Sequence, residues 1–500
     1  MSENSGLLFL NAYAVMYDLL LALSWQSLAL LCFSLFLVLF FEFINGFHDT
    51  ANAVATVIYT QSLSPWRAVA MSGLFNFLGV ISGGLAVAYA IVHLLPVDLL
   101  TSGDSRLLIA MIFSILIGAI VWNLGTWYFG LPASSSHTLI GSIIGVGIIH
   151  AYLTGTSIID GINWGKAIDV GLSLILSPIS GFFLAFVLLW LLRKYLPVSK
   201  IHQTPHFRSD VKGRKHPPFW TRVLLIISSA CVSFAHGSND GQKGIGLMML
   251  TLICLLPTQF LINTHADRYQ LERSLYASHQ LALYAEENQG WISQQFPPRL
   301  VVDSANHCQV SDIKQHLQKL DVLSIKNPDI QSLNNQQRWQ VRRSLLCLAS
   351  SAKLLADNEH SSVEEKEYLQ KLYQDLNSNT EYAPLWVIFA IASALGLGTM
   401  IGWKRVVKTI GEGIGKDHMT YAQGVCAQIT TAASIAAANV AGLPVSTTQI
   451  LSSAVAGAAV ANKSGLKLST VRNILLAWLF TFPAAMVLAG AIYYLVTLFI

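Results

Sequence analysis

Two short motifs place carboxylates in parts of the chain that are otherwise apolar. The first motif holds Gly46, Asp49 and Asn52 within a mostly apolar run from about residue 28 to residue 60. The second motif repeats the spacing of its glycine and aspartate, with Gly237 and Asp240. A carboxylate inside a bilayer costs roughly 2.5–3.5 kcal/mol on insertion scales. Two such residues in matching contexts therefore indicate a functional site rather than an accident of sequence.

The side chains of these two motifs suit a coupling cation or a proton. Carboxylate and amide oxygens are ligands for small hard cations, and intramembrane carboxylates also relay protons. We therefore expect a coupling-ion site built from five side chains: Asp49, Asn52, Asn239, Asp240 and Gln242. A lysine, Lys243, follows in the second motif. It would contact an anion, or form a buried ion pair with Asp240 that only fixes the fold.

A second pair of motifs carries three consecutive hydroxyl residues after a Leu-Pro dipeptide. The six hydroxyl residues are Ser134, Ser135, Ser136, Ser446, Thr447 and Thr448. Proline followed by Ser or Thr is typical of the start of a helix. The free N–H groups and the positive dipole end of such a helix attract anions. The motifs thus favour a site for a tetrahedral oxyanion such as phosphate or sulfate, with ordinary helix capping as the alternative.

The composition predicts that these motifs lie in an all-α polytopic membrane protein. The 500 residues are 53% hydrophobic and only 12% charged, whereas soluble domains are about 25% charged. Apolar stretches of spanning length lie near residues 28–60, 67–93, 106–128, 132–150, 166–192, 222–262, 384–403, 419–440, 443–461 and 469–499. Breaks are expected inside the long first and sixth stretches. No Walker motif, nucleophile elbow or HExxH motif is present, which argues against ATP hydrolysis and enzymatic catalysis.

Charge divides the chain into segments and predicts their sides of the membrane. The predicted segments are an N-terminal, interfacial segment (1–27), a first transmembrane repeat (28–192), a basic linker (193–221), a second transmembrane repeat (222–262 and 384–500) and a mostly helical soluble insertion (263–383). Short basic loops stay in the cytoplasm. With five spans on each side of the linker, the insertion and both termini are then expected on the outer side, which is the periplasm in a bacterium.

The two halves match as repeats of opposite orientation. The distance from Gly46 to Leu131 is 85 positions, and the distance from Gly237 to Leu443 is 206. The difference of 121 equals the length of the insertion, so removing it restores the repeat. An odd number of spans per repeat forces the halves to run in opposite directions. Inverted-topology repeats with interrupted helices are typical of secondary transporters, whose site lies between the halves.

On these motifs the chain resembles the inorganic phosphate transporter (Pit) family, and within it the bacterial low-affinity phosphate permeases. The resemblance implies symport of phosphate, as a metal-phosphate complex with Mg²⁺ or another divalent cation, across the bacterial inner membrane. It implies arsenate as a mimic, no tightly bound cofactor and no nucleic-acid partner, and we expect a homo-oligomer. Animal relatives are sodium-coupled and carry essential glutamates in two spans, where this sequence has Asn76 and Gln428. This difference favours coupling to H⁺ over Na⁺.

Two other functions stay open on the sequence, and one covalent link is expected. The alternatives are a sodium-coupled or sulfate-carrying symporter, and a membrane sensor with an external ligand-binding domain. A sensor would not need two matched oxyanion motifs. The insertion contains two cysteines, Cys308 and Cys347. Since disulfides persist outside the cytosol, we predict that they form a bridge.

Overall fold

A computed structural model of the protein describes residues 24–94, 105–158, 162–213, 216–263, 266, 268–296, 310–326, 333–404, 407 and 414–499. These residues are almost entirely helical, and within them the extended pairing is one isolated bridge between Gly415 and Leu466. The helices are α1 Trp25–Tyr59, α2 Pro65–Ser82, α3 Ala86–Val92, α4 Ser105–Tyr128, α5 Ser135–Thr154, α6 Trp164–Tyr195, α7 Pro205–Lys212, α8 Phe219–Leu255, α9 Pro257–Phe260, α10 Arg268–Glu287, α11 Gln289–Gln295, α12 Ile313–Lys326, α13 Asn335–Ala356, α14 Val363–Asn377, α15 Leu385–Thr399, α16 Tyr421–Val440, α17 Thr447–Ala461 and α18 Leu468–Thr497.

Each of the ten apolar stretches coincides with a helix or with a bent pair of helices. Within the described ranges, six helices are long and apolar enough to cross a membrane, namely α1, α4, α5, α6, α8 and α18. The α2–α3 pair is bent by 76° and counts as a seventh if it is one span. The helices α15 and α17 are apolar but shorter, with 15 residues each. The all-helical membrane class is confirmed, while the number of crossings, their orientation and the sides of the termini stay predictions.

Breaks at the two acidic motifs are not found; the sixth stretch is interrupted only near its end, at Leu256 between α8 and α9. The helices α1 and α8 run without interruption through both acidic motifs, over 35 and 37 residues. Their glycines serve close packing instead. A Cβ atom on Gly46 would lie 2.4 Å from the carbonyl oxygen of Leu395, and one on Gly237 would lie 2.2 Å from that of Asn76. A side chain at either position would push a neighbouring helix backbone away.

The interruptions lie instead before the two hydroxyl motifs and between α2 and α3. Gly130 and Gly442 adopt positive φ angles of 67° and 65°, which L-residues with a Cβ rarely adopt. The chain then runs as non-helical backbone until α5 begins at Ser135 and α17 begins at Thr447. Gly84, with φ 78°, allows the bend between α2 and α3. These turns place two helix N-termini inside the bundle.

The helices of the two halves pack in corresponding pairs. The helix α8 packs against α2 while α1 packs against α15, and α5 packs against α18 while α17 packs against α6. Each pair joins one helix from the first half with one from the second, so the halves share a single interior. The opposite membrane orientation of the two halves stays a prediction.

The described part of the insertion contains five α-helices, α10–α14, whose apolar core also takes in Ile253 and Leu261. Its buried Arg342 donates from Nη1 to the carbonyl oxygens of Leu261 (2.6 Å) and Thr380 (3.1 Å). The Tyr89 hydroxyl donates to the carbonyl oxygen of Tyr382 at 2.7 Å. These bonds tie the insertion to α3 and to the residue that follows α9. Its location in the periplasm stays a prediction.

The predicted segment boundaries and the disulfide are only partly covered by the described residues. Of the N-terminal segment, residues 1–23 lie outside the described part, and α1 begins at Trp25 rather than at residue 28. Cys347 is buried on α13 and is disulfide-bonded. Cys308 lies outside the described residues, so its pairing with Cys347 stays a prediction.

Candidate functional site

The carboxylate of Asp49 joins the two hydroxyl motifs. It lies on α1 and is 2% exposed. The Ser135 hydroxyl, at the start of α5, donates to Asp49 Oδ2 at 3.0 Å. The Thr448 hydroxyl, in the first turn of α17, donates to Asp49 Oδ1 at 2.5 Å. One carboxylate therefore holds the N-termini of two helices from opposite halves at the same point.

The six hydroxyl residues divide into helix caps and site residues. Ser134 and Ser446 are N-caps, because their side chains accept from the backbone N–H groups of His137 (3.2 Å) and Gln449 (3.3 Å). These two match the capping alternative. Among the described residues, Thr447 makes no side-chain hydrogen bond, although it is 2% exposed. Its hydroxyl is thus available to a ligand at the start of α17.

A cluster of three buried side chains on α1 and α8 offers oxygen and nitrogen ligands. The carboxylates of Asp49 and Asp240 and the ring of His236 each place one ligand atom within 4.8 Å of the others. His236 Nε2 lies 3.5 Å from Asp240 Oδ2 and 3.9 Å from Asp49 Oδ2. Within the described part of the chain, neither His236 Nε2 nor Asp240 Oδ2 has a hydrogen-bond partner. The set could hold a metal ion or share a proton.

The neighbours of His236 fix the direction of its free ring nitrogen. Asn76 donates from Nδ2 to the Thr399 hydroxyl at 3.0 Å, which turns its Oδ1 toward the histidine. His236 Nδ1 lies 2.8 Å from that Oδ1 and donates to it. A neutral ring would then point the lone pair of Nε2 at two carboxylates. This arrangement is repulsive unless a proton or a cation lies between the three groups.

Lys243 is buried beside this cluster and makes three hydrogen bonds. Its Nζ donates to Asp240 Oδ1 at 2.6 Å, to the Ser136 hydroxyl at 2.5 Å and to the Val445 carbonyl oxygen at 3.1 Å. An ammonium group has three N–H donors, so all of them are used. Of the two roles that the sequence allows for Lys243, this arrangement matches the buried ion pair with Asp240. The ammonium group has no donor left for an anion.

The predicted amide ligands of the coupling ion make other contacts. Asn239 accepts from the backbone N–H of Val445 (3.3 Å) and donates to Asn439 (2.6 Å), so it positions the loop before α17. The Gln242 side chain accepts from the N–H of Val87 (2.8 Å) and donates to the carbonyl oxygen of Gly83 (2.6 Å), across the bend between α2 and α3. The side chain of Asn52 lies outside the described residues.

Sequence reasoning did not select His236 as a site residue, although a signal was present. His236 precedes Asp240 by four positions, which places both on one face of a helix. Asn76, whose side chain orients the histidine, lies where the family resemblance places a glutamate, and it bonds across helices, as expected of an intramembrane amide.

The fold and the site together define a polytopic membrane transport protein rather than an enzyme. The helices are long and apolar, and the polar cluster lies beside two buried helix starts. The sequence model of the phosphate transporter family matches residues 45–489. The chain belongs to this family, and the resemblance noted from the motifs is confirmed.

The alignments with similar proteins extend over nearly the whole chain. The low-affinity inorganic phosphate transporters PitA and PitB of Escherichia coli strain K12 are each 48% identical over 494 residues, which covers 96% of this chain and 99% of theirs. A low-affinity inorganic phosphate transporter of Buchnera aphidicola subsp. Acyrthosiphon pisum is 47% identical, over 92% of this chain and 95% of that protein. A solved structure titled "The sodium-dependent phosphate transporter" has a similar fold, with a TM-score of 0.53, 19% identity and coverage of 94% of this chain and 100% of that one.

Proposed function

We propose that this protein takes up inorganic phosphate across the bacterial inner membrane by symport with protons, and that phosphate enters as a metal-phosphate complex. The observation that carries the proposal is the buried cluster of Asp49, His236 and Asp240, which lies directly beside the N-termini of α5 and α17. The close similarity to low-affinity inorganic phosphate transporters supports phosphate as the substrate.

The helix starts supply the anion-binding side of the site. Two helix N-termini direct unpaired backbone N–H groups and positive dipole ends toward one point. The Thr447 hydroxyl adds a donor, while the Ser135 and Thr448 hydroxyls donate to Asp49 and so hold its carboxylate beside the two helix starts. A tetrahedral oxyanion accepts several such hydrogen bonds at once. Sulfate has a similar shape, so it is the main competing substrate.

The acidic cluster supplies the coupling side of the site. The negative charge of Asp49 would repel phosphate unless positive charge enters with it. A proton on His236 Nε2 would lie between two carboxylate oxygens at 3.5 Å and 3.9 Å and would remove the repulsion described above. A divalent metal ion bound to phosphate could use the same three ligand atoms. Imidazole with carboxylates is a ligand set that suits Zn²⁺ or Mn²⁺ better than Mg²⁺, which prefers oxygen ligands.

The proposal is tested by phosphate uptake into proteoliposomes that contain the purified protein. An inwardly directed proton gradient should drive uptake, whereas a sodium gradient at constant pH should not. Omitting divalent cations should reduce uptake, and arsenate should compete while sulfate should not. Uptake driven by sodium alone would replace proton coupling by sodium coupling. Uptake that is unaffected by both gradients would exclude symport.

A further inference from the structure

The ammonium group of Lys243 occupies a cage of oxygen atoms. The three atoms around Nζ are a carboxylate oxygen of Asp240, the hydroxyl oxygen of Ser136 and the carbonyl oxygen of Val445, at 2.6, 2.5 and 3.1 Å. They come from α8, from the first turn of α5 and from the loop before α17. The lysine is 1% exposed. Carboxylate, hydroxyl and carbonyl oxygens are the ligands that hard metal cations also use.

The two acidic motifs of this chain differ at the corresponding position. Asn52 follows Asp49 by three residues, and Lys243 follows Asp240 by three residues. The first motif therefore has a neutral amide where the second motif has a permanent positive charge. In the second half, the negative charge of Asp240 is therefore balanced by a side chain of the protein, Lys243.

We propose that Lys243 is a tethered cation, which takes the place of one exchangeable monovalent cation in the second half of the transporter. Part of this inference rests on the proposed symport, because a cation that is covalently attached is not carried across the membrane. The number of coupling ions carried per phosphate is then one lower than it would be if Asp49 and Asp240 each bound an exchangeable ion. The lysine also holds α5, α8 and the start of α17 together without any dissolved ion, so this part of the site forms at any salt concentration.

The test is to open the cage with Lys243→Asn and to measure thermal unfolding of the purified full-length protein in detergent. The variant retains the Asp240, Ser136 and Val445 oxygens but lacks the charge between them. Its Tm should rise with the concentration of NaCl, KCl or methylammonium chloride, compared with choline chloride at equal ionic strength. Ligand linkage predicts a rise of about 1–3 °C at a cation concentration roughly tenfold above its Kd. The wild-type protein should show no matching rise.

Two further variants control the experiment. Lys243→Arg keeps a tethered positive charge and should respond to cations no more than the wild type does. The double variant Asp240→Asn/Lys243→Asn removes both charges and should lose the response, since no carboxylate is left to bind the cation.

Each outcome bears on the proposal. A folded Lys243→Asn variant whose cation response equals that of the wild type overturns it. Failure of that variant to fold in every salt, while the double variant folds, also overturns it, because dissolved cations would then not replace the lysine. Recovery of a folded variant only with Na⁺, K⁺ or methylammonium supports it. The Tm measurement needs no transport, so absence of phosphate uptake by the wild type would refute the proposed function without affecting this result.

Discussion

Replacing Asp49 by asparagine should abolish most phosphate uptake while the protein stays folded. The change keeps the shape of the side chain but removes its negative charge. The Ser135 and Thr448 hydroxyls now donate to the carboxylate at 3.0 Å and 2.5 Å. After the change they can still bond the amide oxygen, and a hydroxyl can turn to accept from the amide nitrogen. The helix starts therefore keep their hydrogen-bond partner, whereas the coupling cation or proton loses its negatively charged ligand.

The expected loss of affinity for the coupling ion follows from the kind of hydrogen bond that the Asp49→Asn change weakens. Hydrogen bonds to charged groups contribute about 1.5–3 kcal/mol, against about 0.5–1.5 kcal/mol for neutral pairs. The two bonds to Asp49 would each lose roughly 1 kcal/mol, or about 2 kcal/mol together. Loss of one charged ligand from a bound proton or cation costs a similar amount, so the affinity for the coupling ion should fall by about 10–100-fold.

The assay is initial phosphate uptake into proteoliposomes, measured over a range of external proton and phosphate concentrations. The matched control is Asp169→Asn on α6, where the same change is made at an exposed position on an apolar helix. This control should transport at the wild-type rate. Normal uptake by a folded Asp49→Asn variant, with an unchanged dependence on external pH, would refute the role of Asp49 in coupling.

Three further predictions concern the anion site and the insertion. Thr447→Ala should weaken phosphate binding by about tenfold, as the loss of a hydroxyl bond to an anion implies; Ser135→Ala should also weaken it, because the Asp49 carboxylate beside the site loses a hydroxyl donor; unchanged apparent affinity in both variants would favour a purely capping role. Arg342→Leu should destabilise the junction of the insertion by about 1–3 kcal/mol, since two buried carbonyl oxygens lose their donor; limited proteolysis and thermal unfolding would detect this loss. Peptide mapping after alkylation without reduction should find Cys308 and Cys347 unmodified and linked, and free labelling of both would contradict the disulfide.

The sequence predicted the residue types of the site because apolar surroundings make polar motifs conspicuous. Two repeated hydroxyl motifs in a chain with 12% charged residues pointed to helix starts, and α5 and α17 begin there. The individual roles could not be predicted. Whether Ser134 caps a helix or binds a ligand depends on which N–H lies within 3.2 Å of it, and this distance is set by the packing of the helix.

The wrong prediction of helix breaks has a clear physical cause. Glycine weakens a helix by about 1 kcal/mol relative to alanine, so Gly46 and Gly237 were interpreted as interruptions. In the structure the same glycines allow helix backbones to approach at distances that no Cβ would tolerate. A single sequence does not distinguish these two uses of glycine, because the neighbouring helix is distant in the chain.

Under the proposed symport, the charges of the site give a physical reason for positive charge to accompany the substrate. Lys243 balances Asp240 at 2.6 Å, and the carboxylate of Asp49 is the negative group that lies against the two helix starts, through its bonds to Ser135 and Thr448. Phosphate approaching that carboxylate would lose much of what the helix N-termini contribute. A proton on His236 or a divalent ion in the Asp49–His236–Asp240 cluster would offset this repulsion. We therefore expect the cation to stabilise the phosphate-bound state, and phosphate to stabilise the cation-bound state by the same factor, since coupling between two sites is reciprocal.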